Sequence, residues 1–306
     1  MKPFLDIIVV TYNSEDVVGD LLDSIPRALG DLKANVIVVD NGSTDNTAGV
    51  LLARGDCKVV LSSNVGYAAG INRGVREGSG AGAILVLNPD TRLHEGCIAP
   101  LYNALRLPGT GIVAPRMLSS DGALSSDGTL YFSLRRKPTL LRALGLTHLK
   151  LPALSEFVQE PAAYEAPHVV DWAVGAVLMM TRECFDLLEG WDESFFLYCE
   201  ETDLSLRARD HGLVTRYEPR SVVTHIGGGS GRSGKTFAMQ AINRIRLYGR
   251  RHNSVATWCF YGLILTRELV WTARGHQERG FAAAALLRPA LRPVELKCSS
   301  RLRPGW

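Results

Sequence analysis

Three features that are missing from this sequence restrict what the protein can be. No stretch reaches the roughly 18 uncharged apolar residues that a membrane-spanning helix requires, and the nearest candidate, 253–266, ends at Arg267 and Glu268. The six cysteines are scattered without a CxxC pair or a ligand-like cluster, which indicates reduced thiols and a cytosolic compartment. The amino-terminal apolar run is short, has no small-residue cleavage site and predicts a first β-strand instead of a signal peptide.

The positive charge is concentrated at one end of the chain. From Arg232 onwards the sequence has 14 Lys and Arg against 3 Asp and Glu, whereas residues 1–231 have 20 against 28. A basic tail on an acidic body predicts a polyanionic partner. Because aromatic residues such as Trp258 and Trp271 are mixed with the basic ones, an anionic membrane surface is favoured over a nucleic acid. The alternative is a pair of helices packed on the body with a solvated basic face.

With 306 residues, 46% of them hydrophobic, the chain can bury one large α/β domain with an appendage. Short apolar runs alternate with helix-like stretches, and there is no internal repeat. This alternation predicts a mostly parallel sheet with helices on both faces. The predicted strands are Leu5–Val10, Val36–Val39, Lys58–Leu61 and Ala83–Leu87, and the predicted helices are Glu15–Ile25, Thr47–Arg54, Tyr67–Glu77 and Gly96–Leu105.

Polar residues follow each of the predicted strands. Because ligands of parallel sheets bind outside the carboxyl ends of the strands, these groups predict a binding site at one sheet edge. The groups are Thr11–Asn13, Asp40–Ser43, Ser63–Asn64 and Asn88–Asp90.

The second half of the chain has a less regular pattern. Residues 117–170 contain two Asp-Gly turns, a basic run at 135–137 and several prolines, which predict a long excursion from the sheet. Two short strands, Val214–Tyr217 and Ser221–His225, are predicted to lead into a glycine-rich loop.

Five segments of the sequence resemble the motifs of one enzyme family. In order and at family-like spacing they are IIVVTYNSEDVVGDLLDSI, VIVVDNGSTDNT, NVGYAAGINRGV, VLNPDTRL and GWDESFFLYCEETDLSLRARDHG. The chain closely resembles the family 2 glycosyltransferases, with the GT-A fold, and particularly the bacterial rhamnosyltransferase-like branch. The resemblance covers about residues 4–235 and is weak beyond residue 240. It implies a GT-A domain over 1–235, with 117–170 as an acceptor-side excursion, and a basic, aromatic-rich helical C-terminal region over 236–306.

The resemblance implies that the first sheet edge binds the nucleotide of a sugar donor. Asp40 would accept the N3–H of uracil or thymine. A small-residue pattern entering a helix would let the backbone approach the nucleotide, with the helix N-terminus favouring phosphate. The alternatives are an ordinary turn with a helix N-cap at Thr44 or Asp45, and a tightly packed helix–strand junction. The residues assigned to the nucleotide-sugar besides Asp40 are Thr11, Tyr12, Asn13, Asn41, Asn64, Gly66, Tyr67, Gly70 and Asn72.

Asn88-Pro89-Asp90 stands where the family has its DxD-type metal motif. Because the first Asp is replaced by Asn, Asp90 would be the charged ligand of Mn²⁺ or Mg²⁺, and Asn88 would support the ribose or a metal-bound water. The metal would neutralise the diphosphate leaving group. His225 resembles the family's downstream histidine and would complete the coordination; a structural histidine at a strand end is the alternative.

The segment Glu200–Asp203 corresponds to the family's ED-x-D segment and implies the general base of an inverting transfer. Glu201 occupies the position of that base, which is usually Asp, and Glu200 and Asp203 remain alternatives. A solvated acidic helix start is the non-catalytic interpretation. The acceptor-side wall implied by the resemblance consists of Trp172, Trp191 and Asp192.

Residues 229–236 also satisfy the GxxxxGK[ST] pattern of a P-loop. A P-loop NTPase is disfavoured, because no Asp follows Thr236 and only 70 residues remain. We interpret the segment as a loop that closes over the donor, with Arg232 and Lys235 meeting the diphosphate. A linker is the alternative.

The motifs together predict a metal-dependent inverting glycosyltransferase of cell-envelope polysaccharide synthesis. The preferred donor is dTDP-rhamnose, with UDP-sugars as the alternative, and the acceptor is a glycan or a polyprenyl-linked glycan. We expect action in the cytoplasm at the inner face of the plasma membrane, peripheral membrane contact through the C-terminal region and no nucleic-acid partner. A homo-oligomer is left open. The competing hypothesis is a degenerate nucleotide-sugar-binding module without catalysis.

Overall fold

The structure is a computed structural model that describes residues 4–119, 129–227 and 233–298. Its strands form a ten-stranded mixed sheet and a separate two-stranded ribbon. The strands are β1 (Phe4–Thr11), β2 (Lys33–Asp40), β3 (Lys58–Leu61), β4 (Ala83–Leu87), β5 (Thr91–Leu93), β6 (Thr110–Ser119), β7 (Thr129–Leu130), β8 (Leu134–Arg135), β9 (His168–Val170), β10 (Trp172–Ala173), β11 (Val177–Thr181) and β12 (Val214–His225). The helices are α1 (Val18–Leu29), α2 (Thr47–Leu52), α3 (Tyr67–Arg76), α4 (Ile98–Leu105), α5 (Leu140–Ala143), α6 (Arg182–Leu187), α7 (Glu200–Asp210), α8 (Gly234–Gly249), α9 (Ser254–Ala273) and α10 (Gln277–Leu287).

The amino-terminal half of the sheet is parallel, as predicted. β1 pairs with β2 and β4, and β2 pairs with β3. All of β4 and nearly all of β1 are buried, because apolar clusters lie on both faces of the sheet. This two-sided burial explains why the strands are continuous apolar runs in the sequence. The register places Thr11 beside Asp40 at one sheet edge.

The other half of the sheet is mixed. β11 lies antiparallel between β4 and β6, and β6 pairs in parallel with β12. The prediction of two strands over 214–225 is wrong, because β12 is one strand whose register against β6 shifts between Glu218 and Val222. Such a bulge accommodates extra residues without ending the strand. As a result β12 continues to His225, which pairs with Thr91.

The predicted excursion is tied to the sheet. Its strands β7 and β9 pair with β6 and β12, and β8 pairs with β10 to form the ribbon. β6 continues to Ser119, so the excursion starts later than predicted. The two Asp-Gly turns at 121–122 and 127–128 lie outside the described residues.

Three helices, instead of the alternative pair, make up most of the described C-terminal region. α8 begins with a capping box in which the Ser233 hydroxyl accepts a hydrogen bond from the Thr236 N–H (3.2 Å). The part of the P-loop pattern that the structure describes is therefore a helix start. The core of the three helices also covers residues 196–198 of the body. Within the described ranges, no helix has the length and apolarity needed to cross a bilayer.

Candidate active site

Asp40 is fixed at the rim of the sheet. Its carboxylate accepts hydrogen bonds from the Thr11 hydroxyl (3.1 Å) and the Ser43 backbone N–H (3.2 Å), and the residue is buried. The side-chain oxygen of Asn13 accepts a hydrogen bond from the Thr44 N–H (2.8 Å), whereas Tyr12 is 48% exposed. The predicted base-binding loop thus combines a rigid carboxylate with an accessible aromatic ring.

Asn41 links this loop to the start of α3. Its amide donates to the carbonyl of Gly66 (3.1 Å) and to the side-chain oxygen of Asn64 (3.3 Å). Gly66 has a φ of +96°, and a Cβ there would lie 2.6 Å from the carbonyl oxygen of Phe196, so this contact requires glycine. The Tyr67 N–H donates a hydrogen bond to the Phe196 carbonyl (2.8 Å). The loops after β2 and β3 are therefore joined to the segment that precedes α7.

The phenol of Tyr67 lies where three acidic side chains converge. It donates a hydrogen bond to Oδ1 of Asn88 (2.6 Å). Burial raises the pKa of Tyr67 well above its ordinary value, and the negative charges of Glu200, Glu201 and Asp90 raise it further. The phenol also lies 3.4 Å from the carbonyl oxygen of Gly175, and a Cβ at Gly175 would lie 3.2 Å from the Cβ of Glu201. The structure thus brings the predicted metal-side and base-side residues together.

Asp90 and His225, the two predicted metal ligands, lie side by side. Oδ2 of Asp90 lies 3.3 Å from Nε2 of His225, and both side chains are largely buried. The ring of Tyr131 packs edge-on against His225, with 5.6 Å between centroids. A carboxylate oxygen and an imidazole nitrogen at this separation suit Mn²⁺ or Mg²⁺. The described residues contain no group of three His, Cys, Asp or Glu side chains placed for a metal.

Glu200 and Glu201 open α7 in a buried setting that affects them unequally. Burial and the charge of Glu201 raise the pKa of Glu200 well above its ordinary value. Burial also raises the pKa of Glu201, but backbone hydrogen bonds, including one from Gly175, and the guanidinium of Arg135 lower it. One carboxylate oxygen of each glutamate has no hydrogen-bond partner among the residues that the structure describes. The guanidinium of Arg135 thus favours the ionised form of Glu201.

Asp203 and Asp192 are engaged in ion pairs. Asp203, which is 3% exposed, accepts from Arg207 (2.6 Å) and lies 3.3 Å from Nη1 of Arg250. The same guanidinium is 2.6 Å from Asp192. These two carboxylates hold α7 and the preceding loop to the end of α8. Their charges are thus compensated by arginines.

Trp172 and Trp191, predicted to line the acceptor side, are both buried. Trp191 is 2% exposed and meets the ring of Tyr67 edge-on, with 6.3 Å between centroids. The indole N–H of Trp172 donates to the carbonyl of Arg136 (3.1 Å). Both rings therefore fill the protein interior next to the cleft, and they present little surface to an acceptor.

Two residues of the predicted phosphate-binding pattern have packing contacts. A Cβ at Gly70 would lie 2.9 Å from Cγ1 of Val10 on β1. The amide of Asn72 donates to the Trp191 carbonyl (2.8 Å) and to Glu193 (3.0 Å), and its oxygen accepts from the Trp191 N–H (2.9 Å). The alternative interpretation, a tightly packed helix–strand junction, describes both residues.

We expect Asn72→Ala to act on stability. The substitution leaves the buried N–H and carbonyl of Trp191 without their partners, at a cost of about 2–3 kcal/mol. Thermal unfolding should then begin roughly 5 °C lower or more. Isothermal titration below that temperature should give an unchanged Kd for nucleotide. A weakened Kd at unchanged melting temperature would instead support the predicted nucleotide contact.

The glycine-rich segment is described only in part. Arg232 lies outside the described residues. Lys235 forms an ion pair with Glu295, within the C-terminal region. Contact between Lys235 and a donor phosphate would require this pair to break.

Two residues that the sequence analysis did not assign to the site surround Glu201. A Cβ at Gly175 would lie 3.2 Å from the Cβ of Glu201, so glycine leaves space for the carboxylate. Arg135 is buried, and its guanidinium lies 3.9 Å from the ring centroid of Phe157. The basic run at 135–137 is the feature of the sequence that could have pointed to Arg135. Gly175 is a lone glycine beside an apolar run, and no sequence pattern marks it as a site residue.

A strained turn precedes the two glutamates. Tyr198 and Cys199 have φ values of +72° and +76°, a conformation that costs non-glycine residues about 1–2 kcal/mol each. Asn243 on α8 holds this turn, because its amide donates to the carbonyls of Leu197 (2.9 Å) and Tyr198 (3.1 Å). Asn243 is fully buried. The C-terminal region therefore helps to position the start of α7.

Comparisons with known proteins agree with this geometry. Residues 6–152 match the family described as glycosyl transferase family 2. Over 243 residues the chain is 29% identical to the N-acetylglucosaminyl-diphospho-decaprenol L-rhamnosyltransferase of Mycobacterium tuberculosis, covering 74% of this chain and 76% of that protein. It is 31% identical over 213 residues to the low-salt glycan biosynthesis hexosyltransferase Agl10 of Haloferax volcanii, covering 68% and 62%. Among solved structures, GalNAc-T7 with UDP, GalNAc and Mn²⁺ superimposes with a TM-score of 0.61 at 17% identity, covering 81% of this chain and 48% of that one.

The mixed sheet, with its polar residues gathered at one edge, is that of a nucleotide-diphospho-sugar transferase of the GT-A fold. Four of the five motifs lie at that edge, on β1, β2, β4 and the start of α3, and the fifth leads into α7. Residues 6–152 are a glycosyl transferase family 2 domain, and the curated relatives of the chain include rhamnosyltransferases.

Proposed function

We propose that this glycosyltransferase moves a sugar, with inversion at its anomeric carbon, from a pyrimidine nucleotide-diphosphate donor to a lipid-linked glycan. The preferred donor is dTDP-rhamnose, and a UDP-sugar is the alternative. The name of the M. tuberculosis relative, which specifies a rhamnosyl donor group and a decaprenol-linked acceptor, supports this choice. Asp40 is suited to either base, because thymine and uracil share the N3–H that its carboxylate would accept.

The observation that carries the proposal is the position of Tyr67. Its phenol is hydrogen-bonded to Asn88 and lies in the field of Asp90, Glu200 and Glu201. A displacement at C1 requires charge stabilisation on the leaving-group side and a base on the acceptor side of the same carbon. The residues around Tyr67 provide both in a single cleft.

Glu201 is the proposed base. Asp203 is a poorer candidate because it forms ion pairs with Arg207 and Arg250. Glu200 is a poorer candidate because burial and the charge of Glu201 raise its pKa well above its ordinary value. For Glu201, a backbone hydrogen bond from Gly175 and the positive charge of Arg135 favour the ionised form. In the transfer, Glu201 takes the proton of an acceptor hydroxyl while that oxygen bonds to C1. The bond from C1 to the diphosphate oxygen breaks on the opposite face, and the nucleoside diphosphate leaves.

Asp90 and His225 are the proposed protein ligands of a divalent metal. When bound, the metal neutralises the negative charge that the diphosphate gains as it leaves. Mg²⁺ and Mn²⁺ in such sites are held by few protein ligands together with substrate phosphates, which fits a two-residue set. We therefore expect metal and donor to bind cooperatively.

The proposal is tested by a thermal-shift screen of nucleotide-diphosphate sugars with Mn²⁺ or Mg²⁺. The expected result is stabilisation by dTDP-rhamnose or a UDP-sugar that requires the metal, since a ligand at a hundred times its Kd stabilises by about 2.7 kcal/mol. NMR of the product from the active donor should show the inverted anomer. Stabilisation by purine nucleotides only, or a retained anomer, would contradict the proposal.

A further inference from the structure

The solvent-exposed face of α9 carries no charge. Its exposed positions after Ser254 are Val255, Trp258, Cys259, Gly262, Thr266, Leu269, Val270 and Ala273. At 3.6 residues per turn these positions fall within an arc of about 120° along a length of roughly 27 Å. Val255 is 74% exposed and Trp258 is 53% exposed. A continuous uncharged face of this size on a surface helix indicates a binding surface.

The charged residues of α9 point into the protein. Arg267 and Glu268 are its only charged residues, and Glu268 is 1% exposed. The Glu268 carboxylate accepts from Arg267 (2.6 Å) and from Arg279 on α10 (3.0 Å). A helix whose outer face meets water normally has the opposite arrangement, with charges outside and apolar residues inside. The arrangement in α9 suits an apolar medium on the outer side.

The surroundings of this face favour an anionic occupant. Arg274, at the end of α9, Arg288 and Lys297 are exposed. The acidic residues of the described range 233–298 are Glu268, Glu278 and Glu295, and each is buried or half-buried. Other basic residues of the tail are engaged with acids of the body, so they do not add to this charge. The residues so engaged are Arg244, Arg250 and Arg251.

We propose that α9 lies flat on an anionic lipid bilayer, with the face from Val255 to Ala273 set into the boundary between headgroups and acyl chains. Trp258 suits that boundary because its ring is apolar and its N–H is polar. Arg274 and Arg288 contact lipid phosphates. A second copy of the chain is a poorer occupant, because a two-fold contact between these faces would bring basic rims together. Binding of α9 to a bilayer requires neither the sugar donor nor the acceptor, so it is independent of the proposed transfer reaction.

The test is sedimentation of the full chain with vesicles of phosphatidylcholine, alone or mixed with phosphatidylglycerol. We expect the protein to sediment with the mixed vesicles, and less so at high salt. Leu269→Asp should weaken this binding at least tenfold, because it puts a charge in the inserted face. The matched control is Leu107→Asp, since Leu269 and Leu107 are 48% and 46% exposed and Leu107 lies after α4.

Three results would overturn the proposal. The wild-type protein could stay in the supernatant with every vesicle, or Leu269→Asp could sediment as well as Leu107→Asp. Alternatively, analytical ultracentrifugation could show a dimer that Leu269→Asp dissociates, with equal vesicle binding by both variants, which would make the face a self-association surface. Melting temperatures of both variants check that each is folded. Transfer to a water-soluble acceptor should be the same in both, so failure here leaves the proposed reaction untouched.

Discussion

Glu201→Gln should retain donor binding and lose about 10²- to 10⁴-fold of the transfer rate, the range for loss of a general base. Glutamine keeps the size of the side chain but cannot accept a proton at neutral pH. Transfer is measured by release of nucleoside diphosphate in the presence of acceptor, and donor binding by isothermal titration. An inactive nucleotide-sugar-binding module would instead show no transfer in the wild-type protein.

Glu200→Gln is the matched control for this prediction. Because burial and the charge of Glu201 raise the pKa of Glu200 well above its ordinary value, the amide isostere at position 200 should retain the rate within about tenfold. The pH profile gives a second check. The pKa of Glu201 is raised, so wild-type activity should fall on acidification through that pKa. Equal losses in both variants, or a greater loss in Glu200→Gln, would reassign the base.

Asp90→Asn should weaken Mn²⁺-dependent donor binding by about a hundredfold, corresponding to roughly 2.7 kcal/mol. Asparagine keeps the shape of the side chain but removes the only carboxylate of the Asp90–His225 pair. Titration of donor with Mn²⁺ and with EDTA measures the metal-dependent part of the binding energy. The wild-type difference between the two conditions should disappear in the variant.

Asp186→Asn serves as the control for charge alone, because Asp186 is exposed and paired with Arg182 on α6. It should bind donor as the wild-type protein does. If Asp90→Asn keeps the full difference between Mn²⁺ and EDTA, Asp90 is not a ligand. If His225→Ala alone keeps the full difference between Mn²⁺ and EDTA, His225 is not a ligand of that ion.

The parallel half of the sheet could be predicted because its causes are local. Strands β1 and β4 are buried on both faces and β2 is buried over its last four residues, so these strands are apolar runs, and each is followed by its polar residues within a few positions. The meeting of Asp90 with Glu201 follows from the same rule about strand ends and from the family resemblance. Tyr67, which was assigned to the nucleotide, donates a hydrogen bond to Asn88, and the charges of Asp90 and Glu201 raise its pKa.

What could not be predicted depends on contacts between distant segments. Asn72 bonds to Trp191, which lies more than a hundred positions away, and nothing in the surrounding pattern indicates that partner. Lys235 is likewise paired with Glu295. The bulge in β12 depends on its pairing with β6, a strand that is distant in sequence. Propensity and periodicity describe neighbours along the chain, and these features are set by tertiary packing instead.

Because α8 holds the turn before Glu200, the C-terminal helices cannot be removed without disturbing the start of α7. Asn243 keeps the strained turn before Glu200 in place, and Arg244 neutralises Glu156, which is 6% exposed. A cut before α8 would leave that acid buried without its counter-charge, at a cost of about 3–5 kcal/mol, and would release the turn. Proteolysis at this point should therefore loosen the segment that carries the proposed base and lower the rate of transfer.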